Sequence, residues 1–150
     1  MEWRSFEEVI SFAIGKEQEA VELYERAQGL VELPHVKAMF KEMAAEERGH
    51  KAKLEKATQE KVEGYTPKAV PNLKISDYLV EVPLGPDMNY QDVLILGMKE
   101  EEQAYKLYSD MAARSESAEL KKLFQMLAQE EAKHKLNLET EYDERILTEN

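Results

Sequence analysis

The sequence predicts an all-α protein, an antiparallel four-helix bundle made of two repeated helical hairpins with one long crossover connection. Three observations carry that expectation. Apolar residues recur at alternating steps of four and three along two long stretches, the spacing of one buried helix face. Four of the five prolines, Pro67, Pro71, Pro83 and Pro86, fall between those stretches, where they break helices. A shift of 84 residues lays the second stretch on the first without a slip in register.

At 150 residues and 17.3 kDa the chain suits a single domain, 1–150, with one hairpin over about 5–62, the crossover over 63–89 and the second hairpin over about 90–147. The first helix is expected over 5–29, ending near Gly29. Pro34 then opens the second, 34–62, since proline suits a first helical turn. Residues 63–89 connect the hairpins, with a short helix begun by Ser76-Asp77. The third helix is expected over 90–114. Ser115-Glu116-Ser117 forms the turn, with Ser117 as N-cap of the fourth helix, 118–147. Each helix would be about 35–45 Å long. The crossover must run the length of such a bundle, and about 80–90 Å of extended chain suffices.

Composition narrows the function. Apolar residues make up 43% and charged residues 34%, as in a folded helical domain. A net charge of −11 disfavours nucleic acid and anionic membranes as partners. The absence of cysteine removes disulfides, iron–sulfur clusters, thiolate zinc sites and cysteine nucleophiles. No apolar run approaches the roughly 18 residues of a membrane span. The start of the chain lacks a basic segment followed by an apolar one, so the expected location is the cytoplasm.

The repeat aligns Val9, Glu17, Ala20, Leu23 and Tyr24 with Val93, Glu101, Ala104, Leu107 and Tyr108. It also aligns Phe40, Ala44, Glu46, Glu47, His50 and Leu54 with Phe124, Ala128, Glu130, Glu131, His134 and Leu138. The four apolar stripes run through Ile10 and Ala13, Phe40 and Met43, Leu94 and Gly97, and Phe124 and Leu127. Each stripe is interrupted near its middle, by Glu17, by Glu47 and His50, by Glu101, and by Glu131 and His134. Glu17 and Glu47 are equidistant from the first turn, and Glu101 and Glu131 from the second, so all six stand at one level. Burying four carboxylates costs several kcal/mol for each uncompensated ion. No Lys or Arg occupies the stripes, and two divalent cations would bring the net charge from −11 to −7. Oxygen-rich ligation with one nitrogen per metal suits iron or manganese better than zinc.

The motif Glu17…Glu47-Arg48-Gly49-His50, repeated as Glu101…Glu131-Ala132-Lys133-His134, resembles the ferritin-like di-iron carboxylate superfamily and, within it, the rubrerythrins. The resemblance implies a ferritin-like bundle holding two iron ions, with manganese as the other candidate metal. By similarity Glu47 and Glu131 would bridge the metals. Glu17, Glu101, His50 and His134 would be terminal ligands, and Tyr24 and Tyr108 would hydrogen-bond ligand carboxylates. It implies an oxidoreductase that reduces O2 or H2O2, and a homodimer. Rubrerythrins usually carry a rubredoxin-like iron–cysteine domain; a chain without cysteine needs electrons from a separate donor protein. They also use an extra glutamate at the place of Ala104, which here has no carboxylate, and that counts against peroxidase chemistry. The alternative functions are non-catalytic iron handling or sensing, and a bundle of the same fold that binds a redox-inert ion.

Other polar residues receive structural readings. His35 follows Glu32 by three residues but straddles the first turn, and is read as surface or capping. Glu100 and Glu102, beside Glu101, are read as solvent-facing, as is the Lys/Glu run from Glu55 to Glu63. Met39, Met43, Met98, Met111 and Met126 are read as core.

Overall fold

The computed structural model describes residues 6–60, 88–115 and 117–147. Four α-helices account for most of them: α1 Phe6–Leu30, α2 Pro34–Glu60, α3 Tyr90–Arg114 and α4 Ala118–Tyr142. The backbone continues past α4 as a π-helical turn, Asp143–Leu147. The described residues contain no strand.

Local chemistry sets the helix starts. Pro34 begins α2, and the N–H groups of Val36 and Lys37 turn back to the Leu33 carbonyl. Asn89 caps α3 through a reciprocal capping box with Asp92: the Asn89 side chain accepts from Asp92 N at 2.9 Å, and Asn89 N donates to the Asp92 carboxylate. Ser117 caps α4 by accepting from Leu120 N. Gly29 does not end α1, which runs one residue further, to Leu30.

Short connections make each hairpin antiparallel. α1 packs along α2 and α3 along α4, and the two hairpins meet chiefly through α1 and α3. The core lies in two apolar clusters. One joins Val9, Ile10, Leu54, Leu107, Met111, Leu120, Phe124 and Leu127. The other joins Leu23, Ala27, Val36, Phe40, Met43, Leu94 and Leu138. Each cluster draws on opposite ends of α1 and α3, so these helices are antiparallel too. A β-carbon on Gly97 would stand 2.9 Å from Leu138 Cδ1, which shows how closely α3 and α4 approach.

The end of α2 belongs to the first cluster and the start of α3 to the second, so the connection between them joins opposite ends of the bundle. The expected crossover, 63–89, lies outside the described residues except for Met88 and Asn89; the short helix expected at Ser76-Asp77 lies wholly outside them. Fully burying a Leu or Phe stabilises by about 1.5–3 kcal/mol. The two clusters can therefore support a costly polar layer placed between them.

Candidate metal centre

That layer is made of the six stripe interruptions. Glu17 comes from α1, Glu47 and His50 from α2, Glu101 from α3, and Glu131 and His134 from α4. None is more than 4% exposed. The structure brings all six together, as the spacing from the turns requires. His50 Nδ1 lies 2.8 Å from Glu131 Oε1, 3.4 Å from Glu47 Oε1 and 3.6 Å from Glu17 Oε2. His134 Nδ1 lies 2.7 Å from Glu47 Oε1, 3.8 Å from Glu101 Oε1 and 4.0 Å from Glu131 Oε1. The two imidazoles stack at 5.9 Å between centroids.

The donors form two overlapping sets of four. One is Glu17, Glu47, His50 and Glu131; the other is Glu47, Glu101, Glu131 and His134. Each set holds three carboxylates and one imidazole, and Glu47 and Glu131 are common to both. Glu17 Oε2, both oxygens of Glu47, Glu101 Oε2, Glu131 Oε1, His50 Nδ1 and His134 Nδ1 are buried with no hydrogen-bond partner among the described residues. Buried polar atoms are normally paired, so carboxylate and imidazole atoms crowded into two overlapping sets, in contact with one another but without well-formed hydrogen bonds, fit cations that would supply the missing partners.

Tyr24 and Tyr108 each hold one oxygen of Glu101 and Glu17. Each tyrosine crosses to the other hairpin: Tyr24 donates its hydroxyl to Glu101, and Tyr108 donates to Glu17 at 2.5 Å. Sequence spacing places each tyrosine on the face of its own helix's glutamate, but cannot show this exchange. His134 Nε2 contacts Glu46 at 3.2 Å, which aims Nδ1 at the cluster. Sequence reasoning left Glu46 unassigned, although it shares the repeat.

Two neighbouring carboxylates also depart from expectation. Glu102 faces solvent and pairs with Lys106. Glu100, expected to do the same, is turned into the α1–α3 face by a salt bridge with Lys16, 3.1 Å between Nζ and Oε2. Glu141 is buried and accepts from Tyr90 at 2.7 Å, with Arg145 Nε 3.3 Å away. The fourth stripe reaches it one step beyond Leu138. His35 is exposed at the start of α2, in agreement with its surface reading.

Electrostatics follow from this crowding. Burial, then the charges of Glu101 and Glu17, push Glu47 and Glu131 well above the usual carboxylate range. Burial works to lower the pKa of His50, but the Glu131 and Glu17 carboxylates outweigh it and bring it up to about 9. His134 is raised too, with burial opposed by Glu101 and Glu46. Burial and the adjoining carboxylates push both tyrosine hydroxyls up, so they stay protonated as donors. Without a cation the layer retains protons to limit its own repulsion.

A family model described as Rubrerythrin matches residues 8–142. The chain belongs to the rubrerythrin family. In a rubrerythrin-family chain the buried carboxylate–histidine cluster points to metal binding. Among solved structures, a hypothetical protein from Pyrococcus furiosus is similar at 26% identity and a TM-score of 0.71, over 91% of this chain and 87% of that one. CopM in its Cu(I)-bound form shares the fold at 13% identity and a TM-score of 0.69, over 93% of this chain and 96% of that one. CopM in a silver-bound form is similar at 15% identity and a TM-score of 0.70, over the same shares. No curated protein matches the sequence. Among the described residues, no helix of this rubrerythrin-family chain is long and apolar enough to cross a membrane.

Proposed function

We propose that the chain is a single cytoplasmic di-iron domain that reduces O2 or H2O2 with electrons from a separate donor protein. The observation that carries this reading is the pair of overlapping donor sets, each of three carboxylates and one imidazole, with Glu47 and Glu131 in both. On this reading Glu47 and Glu131 would be shared between two metals, Glu17 and His50 would complete one donor set, and Glu101 and His134 would complete the other. Oxygen-rich sets of this kind favour iron or manganese. Two iron ions held there would supply one electron each, enough with two protons to convert H2O2 to two waters or O2 to H2O2.

The chain's own residues prepare that chemistry. Tyr24 and Tyr108 fix the orientation of Glu101 and Glu17 through hydroxyls that remain protonated. Glu46 fixes the His134 ring, so Nδ1 faces the cluster. The apolar clusters on both sides keep bulk water from the layer. A second copy in a homodimer and the separate donor are the protein partners of this reading.

Non-catalytic iron handling is the second reading, favoured by the metal-bound CopM structures of the same fold. Carboxylates bind the soft monovalent ions of those structures poorly, so the second reading also takes iron. Stopped-flow absorbance after loading with Fe(II) separates the two. Repeated turnover with H2O2 or O2 and a reductant is the expected result. One slow stoichiometric oxidation would favour iron handling, and protein purified with neither iron nor manganese would refute both.

A further inference from the structure

Lys16 and Glu100 are equivalent positions of the repeat, 84 residues apart, yet they contact each other. Residues that meet their own repeat mate lie on the local two-fold axis relating the hairpins. His50 and His134, stacked at 5.9 Å, are a second such pair. The axis therefore runs from the Lys16–Glu100 ion pair through the carboxylate layer to the imidazoles. Identical charges at positions 16 and 100 would repel at this point. The opposite charges allow the face to close.

Behind the ion pair is a cavity of about 20 Å³. Its inner wall includes all four carboxylates of the layer, each at most 2% exposed. Lys16 and Glu100 line it as well, with side chains 19% exposed, and so stand at its outer end. Ala20 and Ala104, another repeat pair, leave the space open between them. Gln103 also lines it, and its Oε1 is buried with no hydrogen-bond partner among the described residues. That volume holds about one water, and an unsatisfied acceptor suits a small hydrogen-bond donor.

We propose that this cavity is the entrance to the centre for molecules of water's size, and that the Lys16–Glu100 ion pair is the gate that sets the size limit. The inference rests on the oxidant-reducing reading for its substrate class: H2O2 passes and a bulky hydroperoxide does not. Lys16 and Glu100 act by exclusion and touch no reacting atom.

The test uses the full chain with Lys16→Ala and Glu100→Ala combined. In Co(II)-loaded protein, visible absorption reports entry of an outside ligand independently of any turnover. Imidazole affinity should rise at least tenfold in the double variant, while azide, a narrow linear anion, changes less than threefold. In the iron-loaded protein the rate ratio of H2O2 to tert-butyl hydroperoxide should fall by about tenfold. Unchanged imidazole affinity with two Co(II) retained would overturn the gate. If H2O2 is not turned over while imidazole entry still depends on the pair, the gate stands and the oxidant-reducing reading fails. Lys16→Met keeps most of the bulk and loses the ion pair, and should shift imidazole affinity in the same direction by a smaller factor. If the double variant does not fold, an unchanged value in Lys16→Met overturns the proposal.

Discussion

In the first hairpin Glu17, Glu47, His50 and Tyr24 occupy the places that Glu101, Glu131, His134 and Tyr108 occupy in the second. The hairpins differ in what surrounds those places. His134 is oriented by Glu46 from the opposite hairpin. Glu130, the repeat mate of Glu46, lies 3.9 Å from Lys133 Nζ. Beyond the layer, the second hairpin buries Glu141 against Tyr90 and Arg145, where the first has the apolar Ala57 as the repeat mate of Glu141. On the axis itself the charge reverses, from Lys16 to Glu100. Side chains that face the shared centre can repeat, because retained protons, or a cation bound between them, would relieve their repulsion. At Lys16 and Glu100, where the two mates meet outside the carboxylate layer, the charge changes sign and the contact is attractive.

The sharpest test of that equivalence is removal of the shared carboxylates. On the reading of two metals per chain, Glu47→Ala and Glu131→Ala should each reduce the metal content to one or none, measured by elemental analysis. Equal losses support the two-fold arrangement. A variant that keeps both metals at unchanged affinity would remove its residue from the bridging role.

Protonation comes next in size. In metal-free protein the folded state binds more protons than the unfolded state, because Glu47, Glu131 and both histidines are raised. Stability must then fall as pH rises. The His50 contribution is fully present below the unfolded histidine value of about 6.5 and is lost as pH passes about 9. Between pH 6.5 and 9, Tm with chelator should drop by on the order of 5–10 °C. Stabilisation by added metal should grow over the same range, as protons leave the donors. A chelated protein with a flat or rising Tm would show that the layer is not strained by its own charge.

A smaller effect tests the exchanged tyrosines. Tyr24→Phe and Tyr108→Phe should each cost about 1.5–3 kcal/mol in the metal-loaded protein, because each removes a hydrogen bond to a buried charged acceptor. Chemical denaturation should give two values within about 0.5 kcal/mol of each other. A larger difference would mean that one hairpin dominates the site. The smallest effect belongs to Gly97, whose repeat mate is Ala13. Gly97→Ala gains about 1 kcal/mol of helix propensity and loses a similar amount to crowding against the flexible end of Leu138. Its measured change should stay within about 1 kcal/mol.

Much of the architecture was legible because helical periodicity, proline and caps act locally. Pro34 and Ser117 begin their helices where expected. The ends were less legible. Gly29 meets no steric demand and α1 runs past it, and after Tyr142 the fourth helix changes to a π-helical turn through Leu147, the expected end. All six polar stripe residues were visible as interruptions of an apolar pattern. The environment of Glu100 depends on Lys16, which is distant in sequence, and the burial of Glu141 depends on Tyr90, from the other helix of its hairpin.

The sequence by itself determined the two hairpins, the common level of the six polar residues and the sign of the charge they carry, since these follow from periodicity and distance from a turn. The tertiary structure decided which tyrosine serves which glutamate, which histidine Glu46 orients, and that Lys16 meets Glu100 over a cavity. Those contacts join α1 to α3, or α2 to α4, across hairpins. The repeat alone does not specify how the hairpins face each other, and packing of the apolar faces fixes that relation.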